Sequence, residues 1–257
     1  MNSMSFNPFH LEDRSFLVTG AASGIGRAAA ILLSRLGARL ICCDVNEIGL
    51  REIAADLRGK GHSFKVFDLN NIQAIEPWLS DICVSSGRVH GLVHAAGVSC
   101  IFPVKVLSFD KIREVLLINA EAALALAKAF VNPKIYAGSN GSIVFVSSVM
   151  SLVGSAATVG YSLSKGAING MTRSLAIEYA KKQIRVNAVA PGFVITPMFE
   201  KAREMWSKEQ AAHVEALHPL GLGKPEDIAN AIAFLLADTG RWITGTIMVI
   251  DGGYTAQ

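Results

Sequence analysis

Charge is scarce in this chain, and so is any bias in its sign. Lys and Arg number 24 against 21 Asp and Glu, a formal net charge of +3, and no basic cluster forms along the sequence. That excludes a dedicated nucleic-acid surface, which needs concentrated Lys and Arg to neutralise phosphates. No uninterrupted run of about 18 apolar residues occurs, so no membrane span is expected. Cysteine is confined to Cys42, Cys43, Cys83 and Cys100, with no CxxC pair. The expectation is reduced, buried thiols in a cytoplasmic protein. The histidines show no metal-ligand spacing such as HExxH, so no metal site is expected. The opening MNSMSFNPFHLEDR lacks a long apolar core and carries Glu12 and Asp13, which argues against a signal or transit peptide. Repeats, low-complexity tracts and Pro/Ser-rich linkers are also missing, so one domain over 1–257 is expected.

What is present is alternation. Short apolar runs at 15–19, 39–43, 63–67, 91–94, 142–147, 185–190 and 246–250 read as strands. Helical periods at 24–36, 47–57, 71–85, 109–131, 161–180 and 225–237 lie between most of them. Such alternation predicts an α/β fold with about seven parallel strands and helices on both faces. Runs such as SIVFVSS, apolar at nearly every position, suit a sheet buried on both sides. The stretch 191–222 after the sixth strand is long. It reads either as a lid over a site at the sheet's carboxyl edge or as a surface helix pair.

In FLVTGAASGIGRAAA an apolar strand ends at Thr19, Gly20, Gly24 and Gly26 follow, and a helix begins. Glycine lets the backbone approach a pyrophosphate, and the helix N-terminus offers free N–H groups and a positive dipole end. A plain strand-to-helix turn is the alternative. The context favours a Rossmann-type, doubly wound nucleotide site. Asp44 ends the next strand at the distance expected of a carboxylate that grips the adenosine ribose. It reads alternatively as a helix N-cap. A carboxylate repels a 2′-phosphate, no Arg follows Asp44, and Ser23 rather than a cation precedes Gly24. NAD is therefore expected over NADP.

Tyr161 and Lys165 stand four apart in GYSLSKGAING, on one face of a helix. A phenol titrates near pH 10 in isolation, about three units too high for a base at neutrality. A fixed cation beside it favours phenolate, so the pair reads as a tuned acid/base. Taken alone, the spacing is common on helices.

The Thr19-Gly-x-x-x-Gly-Ile-Gly26 loop together with Tyr161-x-x-x-Lys165 resembles the short-chain dehydrogenase/reductase family over nearly the whole chain. Ser148 in IVFVSS, Asn119 in LLINAEAA, DLN at 68–70, APGFVITPM after the sixth strand and the closing ITGTIMVIDGGY all fall in the family's order. The resemblance implies a catalytic set of Asn119, Ser148, Tyr161 and Lys165. In it Tyr161 exchanges the substrate proton, Ser148 holds the substrate oxygen, Lys165 lowers the phenol pKa and binds the nicotinamide ribose, and Asn119 holds a water linking Lys165 to solvent. It further implies cofactor contacts from Gly20, Ser23, Gly24, Ile25, Gly26, Asp44, Asp68, Leu69, Ala96, Gly97, Tyr161, Lys165, Pro191, Gly192, Val194 and Thr196. One segment departs: HAAG at 94–97 stands where the family shows Asn-Asn-Ala-Gly, and His94 reads as a structural strand-end residue.

Substrate-pocket candidates are Val149, Met150, Val153, Gly154, Phe193, Val194, Met198, Phe199, Met205 and Trp206. They suit a hydrophobic alcohol or ketone, although Met205 and Trp206 equally suit simple core packing. The helical stretches 121–131 and 166–179 are apolar or small around much of their circumference. The resemblance implies a homodimer or homotetramer through them. The expected activity is NAD-dependent hydride transfer between a secondary alcohol and its ketone. The alternatives are a 3-oxoacyl thioester reductase and a catalytically silent NAD-binding sensor or scaffold.

Overall fold

The computed structural model describes residues 7–257; residues 1–6, the start of the N-terminal stretch considered above, lie outside the described residues. The apolar runs form β1 (Ser15–Thr19), β2 (Arg39–Asp44), β3 (Ser63–Val66), β4 (Gly91–His94), β5 (Gly141–Val146), β6 (Ile184–Pro191) and β7 (Ile247–Ile250). All pair in parallel, in the spatial order β3-β2-β1-β4-β5-β6-β7. Successive side chains of a strand point to opposite faces. Leu17, Leu92, Ile143, Phe145 and Val186 therefore pack on one side, against α3 (Ile75–Ser86), α5 (Ala122–Phe130) and α6 (Val159–Tyr179). Phe16, Val18, Leu40, Val93, Val144 and Val189 pack on the other, against α1 (Gly24–Arg35), α2 (Glu47–Asp56) and α9 (Pro225–Leu236). This three-layer burial explains why the central strands carry apolar residues at consecutive positions.

The order of the strands creates the site. The chain winds from β1 outward to β3, then crosses back to place β4 on the other side of β1. Loops leaving β1 and β4 diverge at that reversal and open a crevice at the carboxyl edge, where ligands of such sheets bind.

Two details differ from the sequence reading, and a third decides between its alternatives. The single helix expected over 109–131 is α4 (Phe109–Leu116) and α5 joined by a π turn over Leu117–Glu121, with Asn119 at its centre. Turns of this kind often accompany functional sites. The helix bearing Tyr161 begins two residues earlier than expected, at Val159. The stretch after β6 carries a helix pair, one of its two readings: α7 (Pro197–Arg203) and α8 (Lys208–Ala216), the second started by a capping box of Ser207 and Gln210. All four cysteines are buried and free. Among the described residues no helix is long and apolar enough to cross a membrane.

Phe145 on central β5 is wholly buried. Phe145→Ala should cost about 3–5 kcal/mol in urea unfolding. A loss near the roughly 0.5 kcal/mol of a surface change would contradict its place in the core.

Candidate active site

The carboxyl ends of the central strands surround a cavity of about 630 Å³. Its floor at one end is the glycine loop. Gly20 has φ +69°, and a Cβ there would lie 2.7 Å from the Ala96 amide nitrogen in the loop after β4. A Cβ on Gly26 would lie 2.1 Å from the Gly20 carbonyl oxygen. Any side chain at these positions would fill the cradle or push the two loops apart. Ser23, Gly24 and Ile25 bring the start of α1 to the cavity, and the Ser23 hydroxyl makes no capping bond of its own. Free N–H groups at a helix N-terminus, reached over bare backbone, fit a pyrophosphate.

Asp44 lies beside this loop. One carboxylate oxygen accepts from the Ala22 amide and the other from the Asn46 amide, both at 3.0 Å. Asp44 is not the cap of α2. Asn46 takes that role, accepting from the Gly49 amide at 3.1 Å. Among the described residues Lys165 is the one basic side chain lining the cavity, so no described Lys or Arg lines its Asp44 end. Asp68 and Leu69 line the same end, next to Phe67, which stacks on Trp78 at 4.1 Å. Ala96, Gly97, Pro191, Gly192, Val194 and Thr196 all border the cavity. Thr196 also caps α7, its Oγ1 accepting from the Phe199 amide.

Lys165 is 5 % exposed, and its Nζ donates to the Val146 carbonyl at 2.7 Å. Burial pulls its ammonium down to about 8. Nζ lies 5.6 Å from the centre of the Tyr161 ring, as the four-residue spacing requires. The expected lowering of the phenol pKa by Lys165 is not what the protein's own groups produce. Burial pushes Tyr161 up to about 12, and a hydrogen bond with Ser148 is what opposes the rise. Desolvation disfavours the phenolate, the charged form of the group. Ser148, at the end of β5, is nearly buried, and its Oγ accepts from the Met150 amide at 3.1 Å.

Asn119 is wholly buried behind the cavity wall. Its Oδ1 accepts from the Val98 amide at 2.9 Å, and its Nδ2 donates to the Val98 carbonyl and to Ser164 Oγ, each at 3.0 Å. Both amide hydrogens are thus committed. The side chain clamps the loop after β4 to α6. His94, also buried, meets Thr19 Oγ1 through Nδ1 at 3.0 Å. Its Nε2 makes no hydrogen bond of ordinary geometry among the described residues, although the Ile118 and Asn119 backbone stands beside the ring. Burial, with Lys165 adding to it, pushes its pKa down to about 3, so the ring is neutral. His94 therefore ties the end of β4 to β1, a structural part for the residue that replaces the family asparagine.

Of the pocket candidates, Val149, Met150, Phe193, Val194, Met198, Phe199 and Trp206 line the cavity, whereas Val153, Gly154 and Met205 do not. Ile101, Thr158 and Ala202 line it and were not anticipated. Ile101 and Thr158 sit in loops with no periodicity to mark which way they face. Ala202 shares α7 with Met198 and Phe199, and its helical spacing from them was a usable signal.

Residues 20–255 match a family model described as enoyl-(acyl carrier protein) reductase. A 3-oxoacyl-[acyl-carrier-protein] reductase of Thermotoga maritima is 35% identical over 246 residues, 95% of this chain and 98% of its own length. A cyclohexanol dehydrogenase of an Acinetobacter species is 31% identical over 261 residues, spanning 100% of both chains. A crystal structure described as a 2-deoxy-D-gluconate 3-dehydrogenase from Agrobacterium tumefaciens with bound NADP superimposes with a TM-score of 0.88. It is 31% identical, and the match covers 98% of this chain and all of that one. Similarity of this extent makes the protein a member of the short-chain dehydrogenase/reductase family, an oxidoreductase acting on CH–OH groups with a nicotinamide cofactor.

Proposed function

We propose that this chain is an NAD-dependent dehydrogenase that interconverts a secondary alcohol and its ketone, with Tyr161 as the general acid/base. The observation that carries this reading is the convergence of Ser148, Tyr161 and Lys165 on the cavity whose other end is the glycine loop. When bound, a nicotinamide cofactor supplies the hydride acceptor or donor and, in its oxidised form, a positive charge near the phenol. Tyr161 Oη takes the hydroxyl proton during alcohol oxidation and returns it during carbonyl reduction. Ser148 Oγ holds the substrate oxygen within reach of that phenol. Lys165 contributes a cation on the same helix face. Asn119 keeps the Gly97–Val98 backbone pressed against the site through its two bonds to Val98.

The preference for NAD rests on Asp44, a carboxylate with no basic side chain beside it in the cavity. It offers acceptor lone pairs to ribose hydroxyls and repels a 2′-phosphate. NADP in a related crystal structure makes this the point most in need of a test. Reduction of a 3-oxoacyl thioester is the second reading, favoured by the Thermotoga relative. An intact Asn119-Ser148-Tyr161-Lys165 set argues against a silent sensor. We further assign a cytoplasmic homotetramer or homodimer. The apolar Leu124, Leu163 and Ile177 stand exposed on α5 and α6, and a second subunit would cover them.

Tyr161→Phe should lower kcat by about 10²–10⁴-fold with cofactor binding retained; undiminished turnover sinks the acid/base assignment. Because burial raises the phenol pKa, the base form is scarce at neutral pH and grows as pH rises. Oxidation should therefore quicken with rising pH and reduction should slow, read as kcat/KM in each direction. Slopes of the same sign would refute the role. Wild-type kcat/KM should favour NAD over NADP, and Asp44→Ala should narrow the gap. A wild-type preference for NADP would overturn the ribose argument.

A further inference from the structure

The substrate end of the cavity has few polar partners to offer. Beyond Ser148 and Tyr161 its wall is Ile101, Val149, Met150, Phe193, Phe199 and Trp206. The Ile101 loop is held beside the start of α6 by the Phe102 amide, which donates to the Ala157 carbonyl at 2.8 Å. Phe193 meets Phe199 and Trp206 edge-on at 6.2 and 6.0 Å, and these two meet each other at 5.7 Å. The result is a braced aromatic corner where α7 leaves the sheet.

The polar groups around this wall are already committed. Thr158 Oγ1 donates to the Ser155 carbonyl at 2.7 Å and is approached by Ser162 Oγ at 3.2 Å. Ser147 Oγ bonds Asn169 Oδ1 at 2.7 Å. His218, behind Phe193, uses both ring nitrogens, on the Val214 carbonyl and the Phe193 amide. Lys165 Nζ is held by Val146. The lining carboxylates, Asp44 and Asp68, belong to the opposite end of the cavity. Among the described residues of this wall, Ser99 keeps an uncommitted hydroxyl and Trp206 an uncommitted indole N–H.

We infer that the substrate of this site carries one oxygen, at the reacting carbon, and is otherwise uncharged hydrocarbon: a compact apolar secondary alcohol or its ketone. The inference rests on the proposed roles of Ser148 and Tyr161, which mark where the reacting oxygen sits. A carboxylate entering this wall loses its hydration, and the one cation among the described lining residues, Lys165, is buried behind the reacting oxygen's place and tied to Val146. Extra hydroxyls lose water and find at most Ser99 and the Trp206 indole N–H. An unpaired buried polar group is penalised heavily, and that penalty is how such a site discriminates. The corner is therefore built against sugar acids, polyols and charged thioesters.

A matched ring series tests this, with purified wild-type protein and NAD: cyclohexanol, cyclohexane-1,4-diol and 4-hydroxycyclohexanecarboxylate, alongside 3-hydroxybutyryl-CoA. Cyclohexanol should exceed the carboxylate in kcat/KM by at least about tenfold, with the diol between them. Preference for the carboxylate, the diol or the thioester overturns this inference while leaving the hydride-transfer reading intact. Absence of turnover on every member, with either nicotinamide cofactor, overturns both. Met198 lines the cavity and is partly exposed at its rim. Met198→Arg should raise the carboxylate-to-cyclohexanol ratio of kcat/KM, with NADH fluorescence on binding used to verify a folded site. A folded variant with an unchanged ratio would overturn the placement of this wall around the substrate.

Discussion

The site depends on holding one ammonium group out of water. Lys165 is almost completely buried, and in return its Nζ has the Val146 carbonyl at 2.7 Å. Desolvating a cation is costly, and the protein offsets it by fixing everything nearby. Ser147 Oγ contacts the Lys165 carbonyl at 3.2 Å, anchoring α6 to the end of β5. A Cβ on Gly97 would sit 3.0 Å from Asn119 Oδ1 and 3.6 Å from Nζ, so the loop after β4 is bare there because the cation and its clamp fill the space. The same geometry ties β5 to α6 through the Val146–Lys165 bond and the π turn to α6 through the Asn119–Ser164 bond. Misplacing the charge would loosen all three.

Much of this was legible before any coordinates. The strands announced themselves because burial on both faces demands apolar residues at consecutive positions, as in SIVFVSS and FLVTG. The glycine loop was legible because Gly20 and Gly26 sit where backbones cross too closely for a Cβ. The carboxylate at Asp44 followed from its place at a strand end. Two readings of Asp44 stood open, and the coordinates remove one: Asn46, two residues on, caps the helix.

What stayed illegible has physical reasons too. A π turn adds one residue to a helix without breaking its apolar stripe, so the stretch 109–131 read as continuous. Saturation of the Asn119 amide depends on Val98 and Ser164, which lie 21 and 45 residues away. Spacing reveals the charge neighbouring Tyr161 but not the depth of burial, which raises the phenol pKa in the chain alone. Val153 and Gly154 follow Ser148 closely in sequence, yet the short 3₁₀ turn at Val149–Ser151 carries the chain away from the cavity.

The excursion after β6 has a consequence for how such a protein diversifies. Ser148, Tyr161 and Lys165 lie just past β5 and on α6, against the sheet, whereas Met198, Phe199 and Ala202 line the cavity from α7 and Trp206 from just past it. Mutations on that appendage do not touch the packing that sustains the reactive pair. Preference can thus drift over generations while chemistry is inherited unchanged, and relatives of equal reactivity come to serve dissimilar metabolites.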